Sequence, residues 1–229
     1  MTGSIITPGT RARVRELMTP IAVGLGKLGL TPNALTVIGF GIAVVAAVAA
    51  VAQAWLVAGL LVVFGGVFDL FDGALARATN SVSNLGAFMD SVFDRWGEGV
   101  VYVGIVAGSL AAGFGIGAVL AAAAMASAFM VSYVRAKAES LGFSPGTGMA
   151  AVGLAPREVR IAILTVGLVV TGLMGGVFLD DGGQMVLLDS WGFGRWPLAI
   201  SLGLIAVLAT ATTIQRIVHI IRQSQHQQG

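Results

Sequence analysis

The sequence between residues 69 and 94 contains two segments that read Asp69-Leu70-Phe71-Asp72-Gly73-Ala74-Leu75-Ala76-Arg77 and Gly86-Ala87-Phe88-Met89-Asp90-Ser91-Val92-Phe93-Asp94. On helices, spacings of three and four residues place each pair of aspartates on one face. Carboxylates that converge in so apolar a chain repel one another strongly unless cations lie between them. Oxygen ligands without cysteine or nearby histidine are typical of a site for a hard ion, Mg²⁺ or Mn²⁺.

The composition is typical of a membrane protein. Of the 229 residues, 56% are apolar and 10% are charged, whereas a soluble domain has about 25% charged residues. The chain contains no cysteine, which excludes disulfides and thiolate metal sites. The net charge of +2 says little by itself, and we expect no nucleic-acid partner.

Six apolar segments approach the roughly 20 residues that a helix needs to cross the hydrocarbon core of a bilayer. We predict membrane-spanning helices at about residues 34–53, 55–78, 85–110, 115–140, 158–178 and 197–220. The segment at about 9–28 has charged residues flanking a modest apolar face, so we predict an amphipathic helix lying on the membrane surface. The sequence therefore predicts an all-α integral membrane protein with one domain over residues 1–229, of which 1–30 form a juxtamembrane segment.

The basic residues predict the orientation of these helices. With six spans both termini lie on one side, and all but one of the 13 basic residues fall on or near that side. The exception is Arg195. Because cytoplasmic flanks of membrane proteins are enriched in Lys and Arg, we predict a multi-pass protein of the cell membrane whose termini and aspartates face the cytoplasm.

Two other interpretations of the aspartates remain open at this point. They could pair only with Arg77 and Arg95, although that leaves four acids against two bases. They could also form the ion site of a divalent-cation transporter, which predicts acids near the bilayer centre with a path to both faces. The aspartates lie instead at the cytoplasmic ends of predicted spans, and no polar residues continue outward from them.

The two segments resemble the signature of the CDP-alcohol phosphotransferase family, D-x-x-D-G-x-x-A-R followed after eight residues by G-x-x-x-D-x-x-x-D, and every fixed position matches. The six spans and the amphipathic N-terminal helix also resemble the family's plan. The resemblance implies a membrane enzyme that joins a CDP-linked lipid to an alcohol headgroup and releases CMP. It also implies a homodimer with one site in each protomer.

The resemblance further implies roles for individual residues. The metal ligands, for two Mg²⁺ or Mn²⁺ ions per site, would be Asp69, Asp72, Asp90 and Asp94. Asp94 would also accept the proton of the attacking alcohol. The residues that would bind the CDP-lipid are Asn33, Thr36, Gly73, Arg77 and Ser83. The structural alternatives are helix packing for Gly73, a helix start around Pro32 and a topology anchor at Arg77.

A second cationic group lies near the ends of the later spans and comprises Arg135, Lys137, Arg157, Arg160 and Arg216. We predict that these residues form a pocket for the phosphate of a phosphorylated alcohol. Positive-inside anchoring alone is the alternative for them. Arg216 is the hardest to explain in that way, because it lies within an apolar span.

Within the family, the bacterial phosphatidylinositol phosphate synthases resemble this chain most. The resemblance rests on 94–99, on 132–139, on Arg157 with Arg160, and on Gln215-Arg216. It implies transfer of the phosphatidyl group of CDP-diacylglycerol to inositol 1-phosphate, which gives phosphatidylinositol phosphate. The usual Arg-Pro-Glu-Arg reads Arg-Glu-Val-Arg here, and the Arg and Lys at 135 and 137 are swapped. Glycerol 3-phosphate, which gives phosphatidylglycerol phosphate, is therefore kept as a second acceptor, and an archaeal-type lipid or a soluble CDP-alcohol as a second donor.

Overall fold

The computed structural model describes residues 8–143, 152–175, 177–179, 185–187 and 194–227, with side chains omitted for 8–17, for the two short strands and for 226–227. In chain order the elements are α1 (Pro8–Lys27), α2 (Pro32–Val51), α3 (Trp55–Ala78), α4 (Asn84–Ala111), α5 (Gly115–Ser140), α6 (Arg157–Gly175), β1 (Val177–Leu179), β2 (Met185–Leu187) and α7 (Trp196–Gln227).

Local chemistry explains where the helices that carry the predicted site begin and end. Thr31 precedes α2 in an extended conformation, its hydroxyl accepts the Ala34 N–H at 3.2 Å, and Pro32 follows at the first helical position. Ser83 caps α4 in the same way, accepting the Gly86 N–H at 3.0 Å. After α2, Gln53 adopts a φ of 61°, which turns the chain sharply into α3.

Helices α2 to α7 form a closed ring. Helix α2 packs between α3 and α4, α5 packs between α4 and α7, and α6 packs between α3 and α7. Each of the six helices contributes small or aliphatic side chains to one buried cluster, such as Ala46, Ala58, Ile105, Ala124, Leu168 and Leu202. Helix α1 lies outside the ring and packs on α3 through Ala22.

Glycine allows close contact between helices in the ring. A Cβ placed on Gly104 of α4 would stand 2.5 Å from the Ala47 carbonyl oxygen of α2, well inside van der Waals contact. Small residues at such crossings are typical of helices packed in lipid, where backbones approach each other directly. This approach fixes α4, with its aspartates, beside α2.

The prediction of an α-helical membrane protein is confirmed in its main lines. Within the described residues, the helices long and apolar enough to cross a membrane are five: α2, α3, α5, α6 and α7. Helix α4 has 28 residues, but its segment 84–98 carries Asp90, Asp94, Arg95 and Glu98. The boundaries of α5 agree with the predicted 115–140, whereas α6 ends at Gly175, before the predicted end at 178.

A small antiparallel hairpin was not predicted. Strand β1 pairs with β2 so that Val177 lies opposite Leu187. A sequence signal for it existed, because apolar residues of high β propensity flank Gly182-Gly183 in the sequence. The hairpin lies between α6 and α7 in the chain.

The alternating helix directions bring the charged helix ends together at one end of the ring. Contacts at that end join Thr36 of α2 to Asp72 of α3, and Arg157 of α6 to α3 and α4. At the other end, Arg195 donates to the carbonyl of Ala112 at 2.7 Å. Arg195, which the sequence predicts on the side opposite the other basic residues, therefore also lies at the end of the ring opposite the aspartates.

Candidate active site

The four aspartates lie together at the charged end of the ring. Helix α3 contributes Asp69 and Asp72, and α4 contributes Asp90 and Asp94. The charges of Asp69 and Asp90 act on each other and on both Asp72 and Asp94, so the four carboxylates form one group. The spacing of three on α3 and four on α4 thus turns both pairs toward the same space, as helix geometry requires.

Arg157, the first residue of α6, lies between two of these carboxylates. Its Nη2 is 2.7 Å from Asp69 Oδ2, and its Nη1 is 2.9 Å from Asp94 Oδ2. Arg95 makes a longer contact with Asp94, at 3.4 Å. The Nε atom of Arg157 is buried and has no hydrogen-bond partner among the described residues. One guanidinium therefore relieves the repulsion between α3 and α4 without satisfying all of its own donors.

Helix α2 supports the aspartates of α3 from the other side. The Thr36 hydroxyl donates to Asp72 Oδ2 at 2.6 Å, and both side chains are buried. One turn later, Gly39 leaves room for Asp69, because a Cβ there would stand 3.0 Å from Asp69 Oδ1. Sequence reasoning singled out Thr36 but missed Gly39, although Gly39 lies three residues further on the same helix face.

The side chains fit a divalent metal in their chemistry. The donors are carboxylate oxygens only, which Mg²⁺ and Mn²⁺ prefer, and the space between Asp69 and Asp94 already accepts a cation. In the described part of the chain, no three acidic or histidine side chains are close enough to hold an ion as they stand. The position of Arg157 accounts for this, because its guanidinium lies between two of the four carboxylates.

The residues predicted to bind the CDP-lipid surround the same end of the ring. A Cβ on Gly73 would meet the Arg77 guanidinium at 3.2 Å, so this glycine lets the exposed Arg77 fold back over α3. A Cβ on Gly86 would stand 3.2 Å from Ser83 Oγ and 3.6 Å from Asn33 Oδ1, so the starts of α2 and α4 adjoin. Their role in binding a nucleotide stays a prediction.

Two cavities meet at the aspartates. A narrow cavity of about 60 Å³ runs between α2, α3, α4 and α6 and is lined mostly by apolar side chains. A wider one of about 620 Å³ opens between α3, α4 and α6 and is also lined by Asp90 and Glu158. Asp69, Asp94 and Arg157 line both cavities and form the wall between them.

Arg160, one turn after Arg157, is buried and fully engaged. Its Nε and Nη2 donate to the two carboxylate oxygens of Glu98 at 2.9 and 2.8 Å, and its Nη1 donates to the Ala155 carbonyl at 3.1 Å. The exposed fractions of the Arg160 and Glu98 side chains are 1% and 5%. Sequence reasoning assigned no role to Glu98, although it follows Asp94 by four residues and so lies on the same face of α4.

Arg216 holds backbone from two other parts of the chain. Its Nη1 donates to the Val131 carbonyl of α5 at 2.7 Å, and its Nε donates to the Val152 carbonyl at 3.0 Å. One turn earlier, the Thr212 hydroxyl accepts the N–H groups of residues 154 and 155 at 3.0 Å. These bonds tie the segment that leads into α6 onto α7.

The remaining predicted acceptor residues lie near the end of α5. Arg135 pairs with Glu139 at 2.8 Å on the exposed surface, and Lys137 is exposed. The charges of Arg135 and Arg160 act on Arg216, so these three guanidinium groups are neighbours. The structure thus groups these three and places Arg157 with the aspartates, while their role toward an acceptor phosphate stays a prediction.

Comparisons with known proteins identify similar sequences and structures. Residues 29–223 match the sequence model of the CDP-alcohol phosphatidyltransferases. An archaetidylinositol phosphate synthase of Pyrococcus horikoshii is 36% identical over 169 residues, which cover 74% of this chain and 85% of that protein. A phosphatidylinositol phosphate synthase of Mycobacteroides abscessus is 31% identical over 221 residues, which cover 94% of this chain and 88% of the other.

Solved structures of a similar protein have the same fold. The phosphatidylinositol phosphate synthase of Mycobacterium tuberculosis with CDP-DAG bound superposes with a TM-score of 0.71 at 26% identity, over 90% of this chain and 94% of that one. The same protein in complex with manganese and citrate gives a TM-score of 0.70 at 26% identity, over 89% of this chain and 88% of the other.

Proposed function

The chain belongs to the CDP-alcohol phosphatidyltransferase family, and on that premise we propose that it transfers the phosphatidyl group of CDP-diacylglycerol to inositol 1-phosphate and releases CMP. The observation that carries the proposal is the convergence of two signature aspartates, Asp69 and Asp94, on one cation at a cavity wall. Family membership favours this enzyme over the divalent-cation transporter.

The names of the relatives support inositol phosphate as the acceptor. The relatives from Pyrococcus horikoshii and Mycobacteroides abscessus are named for different lipids, archaetidyl and phosphatidyl, but for the same inositol phosphate headgroup. Because these two relatives share the headgroup but differ in lipid, their names support the headgroup of this chain's product better than they support either lipid. We choose CDP-diacylglycerol as the donor because the Mycobacterium tuberculosis neighbour was solved with CDP-DAG.

The proposed membrane arrangement has six spanning helices, α2 to α7. Helix α4 packs between α2 and α5 and so closes the ring. Its charged residues lie at the same end of the ring as the other charged groups of the site. Helix α1 lies outside the ring and rests on the membrane surface. The excess of basic residues at the site end supports a cytoplasmic location for that end and for both termini. We also propose a homodimer, which the molecular mass of the purified protein tests.

In the proposed mechanism, the signature aspartates hold the metal. When bound, two Mg²⁺ or Mn²⁺ ions per site neutralise the diphosphate and stabilise the charge on the departing CMP. The metal ligands are Asp69, Asp72, Asp90 and Asp94, and Thr36 fixes the carboxylate of Asp72. Asp94 accepts the proton of the alcohol as the alcohol oxygen bonds to the phosphorus that carries diacylglycerol, and the bond from that phosphorus to CMP breaks.

The remaining residues bind the two substrates. We assign Gly73, Arg77, Asn33 and Ser83 to the cytidine diphosphate, since Gly73 and Arg77 adjoin near the end of α3 and Asn33 and Ser83 adjoin at the starts of α2 and α4. An exposed arginine is suited to bidentate contact with phosphate. Thr36 supports this site through Asp72.

We assign the acceptor's phosphate to Arg135, Lys137, Arg157 and Arg216. Arg216 engages described backbone through Nε and Nη1, so its Nη2 is the atom that we assign to the phosphate. We also assign Arg160 to this pocket. It lies between Ala155 and Glu98 and holds the backbone before α6 through its bond to the Ala155 carbonyl.

One assay tests the proposal. The purified protein is given CDP-diacylglycerol and Mg²⁺ with inositol 1-phosphate, free inositol, glycerol 3-phosphate or serine, and CMP release is measured. We expect release with inositol 1-phosphate only. The Asp94→Asn variant should lose turnover but still bind CDP-diacylglycerol, whereas Asp189→Asn, outside the signature, serves as the matched control. CMP release with glycerol 3-phosphate instead would identify a phosphatidylglycerol phosphate synthase.

A further inference from the structure

Arg157 lies where the proposed metal ligands and the wider cavity meet. We propose that Arg157 competes with the divalent cation for Asp69 and Asp94, and that metal binding releases its guanidinium to the acceptor's phosphate. The acceptor site is then complete only in the metal-loaded protein. This inference rests on the proposed function and adds an order of binding to it.

The contacts of Arg157 carry the competition. Both terminal nitrogens are held by carboxylates, at 2.7 Å for Asp69 and 2.9 Å for Asp94. A cation held between α3 and α4 would take its ligands from the same two carboxylates, so the guanidinium and the metal would compete for them. The same terminal nitrogens make the bidentate contact of an arginine with a phosphate. Arg157 therefore reaches a phosphate in that mode only after it leaves the carboxylates.

The fold gives the side chain a place to move while its helix stays fixed. The wider cavity, about 620 Å³, is lined by Arg157 and is much larger than the narrow one of about 60 Å³. One turn along α6, the buried pair of Arg160 with Glu98 holds the helix on α4. While Arg157 contacts the two carboxylates, its buried Nε has no partner among the described residues, so one of its donors is unsatisfied.

Charge balance favours the exchange. When all four are ionised, the carboxylates carry a charge of −4 against the two guanidinium groups that contact them, those of Arg157 and Arg95. Two divalent ions carry +4, which equals the carboxylate charge. Arg157 would then face a neutralised group, so the carboxylates would no longer hold it against the attraction of a phosphate in the cavity.

The test measures Mn²⁺ binding in the absence of both substrates, by the electron paramagnetic resonance signal of free Mn²⁺. We expect Arg157→Gln to bind Mn²⁺ about tenfold more tightly than the unmodified protein, because two charge-assisted hydrogen bonds no longer compete. Arg95→Gln, which removes one longer contact, should give a smaller gain. Arg222→Gln removes the same charge from an exposed position on α7 and should leave Mn²⁺ affinity unchanged.

A second measurement uses the unmodified protein and does not depend on any variant. Binding of inositol 1-phosphate is measured by calorimetry with and without Mn²⁺, and we expect binding only with Mn²⁺. The inference is overturned if Arg157→Gln binds Mn²⁺ no more tightly than Arg222→Gln, or if inositol 1-phosphate binds equally well without the metal. If the unmodified protein binds no Mn²⁺ at all, the proposed metal site fails as well, so the two failures are distinguishable.

Discussion

The buried pair of Arg160 and Glu98 leads to a quantitative prediction about stability. The pair joins α6 to α4 through two hydrogen bonds of 2.8 and 2.9 Å, and both side chains are almost completely removed from solvent. Removing one partner of such a pair leaves an uncompensated buried charge, which costs about 3–5 kcal/mol. For a protein of this size, that corresponds to a fall in the unfolding temperature of roughly 6–20 °C.

The two single substitutions should differ. Glu98→Leu leaves a guanidinium that stays charged at any accessible pH, whereas Arg160→Met leaves a carboxylate that can take up a proton and become neutral. We therefore expect Glu98→Leu to destabilise the protein more. The double variant removes both charges, and its free energy of unfolding should recover most of the loss, since replacing a whole buried pair by apolar residues is often close to neutral.

The assay is thermal unfolding of the purified protein in detergent, followed by circular dichroism. Arg135→Met is the matched control, because it breaks the pair of Arg135 with Glu139, whose side chains are 42% and 40% exposed. An exposed helix pair of this kind contributes about 0.3–0.5 kcal/mol. The reasoning is refuted if Glu98→Leu costs no more than Arg135→Met, or if the double variant is as unstable as the worse single one.

Three further substitutions test the support that α2 gives to the site. Gly39→Ala puts a Cβ 3.0 Å from an aspartate oxygen of α3 and should lower CMP release, whereas Gly41→Ala, with no atom within 4 Å, should not; equal rates for both would contradict the assignment. Thr36→Val removes the 2.6 Å bond to Asp72 and should weaken Mn²⁺ binding, which a serine at the same position should restore. Gly104→Ala forces α4 against a carbonyl of α2 at 2.5 Å and should cost about 1–3 kcal/mol in thermal unfolding, an effect that Gly41→Ala should not reproduce.

Much of this fold could be predicted because its signals are local. The caps at Thr31 and Ser83, and the spacing within each pair of aspartates, depend on residues at most four apart. Apolar length alone indicated the helices, and the start of α5 at Gly115 agrees with the prediction. Apolar length does not predict a helix that continues through polar residues, as α7 does beyond residue 220 to Gln227.

The partners of the arginines could not be predicted because they are distant in sequence. Arg157 meets Asp69 across 88 residues, and Arg160 meets Glu98 across 62. A sequence shows that a basic residue is available but not which acid it meets once the helices pack. The same holds for Gly39, whose role depends on the approach of α3 to α2.

The closed ring has a consequence for how the protein is made. During synthesis, α3 and α4 are made with their acidic side chains before α6. Arg157 follows Asp94 by 63 residues. Before α6 is made, Arg95 is the described arginine that contacts one of these acids, Asp94. The later helix α6 thus supplies the second countercharge, so the ion pairs at the charged end of the ring are complete only after the chain has been made as far as Arg157.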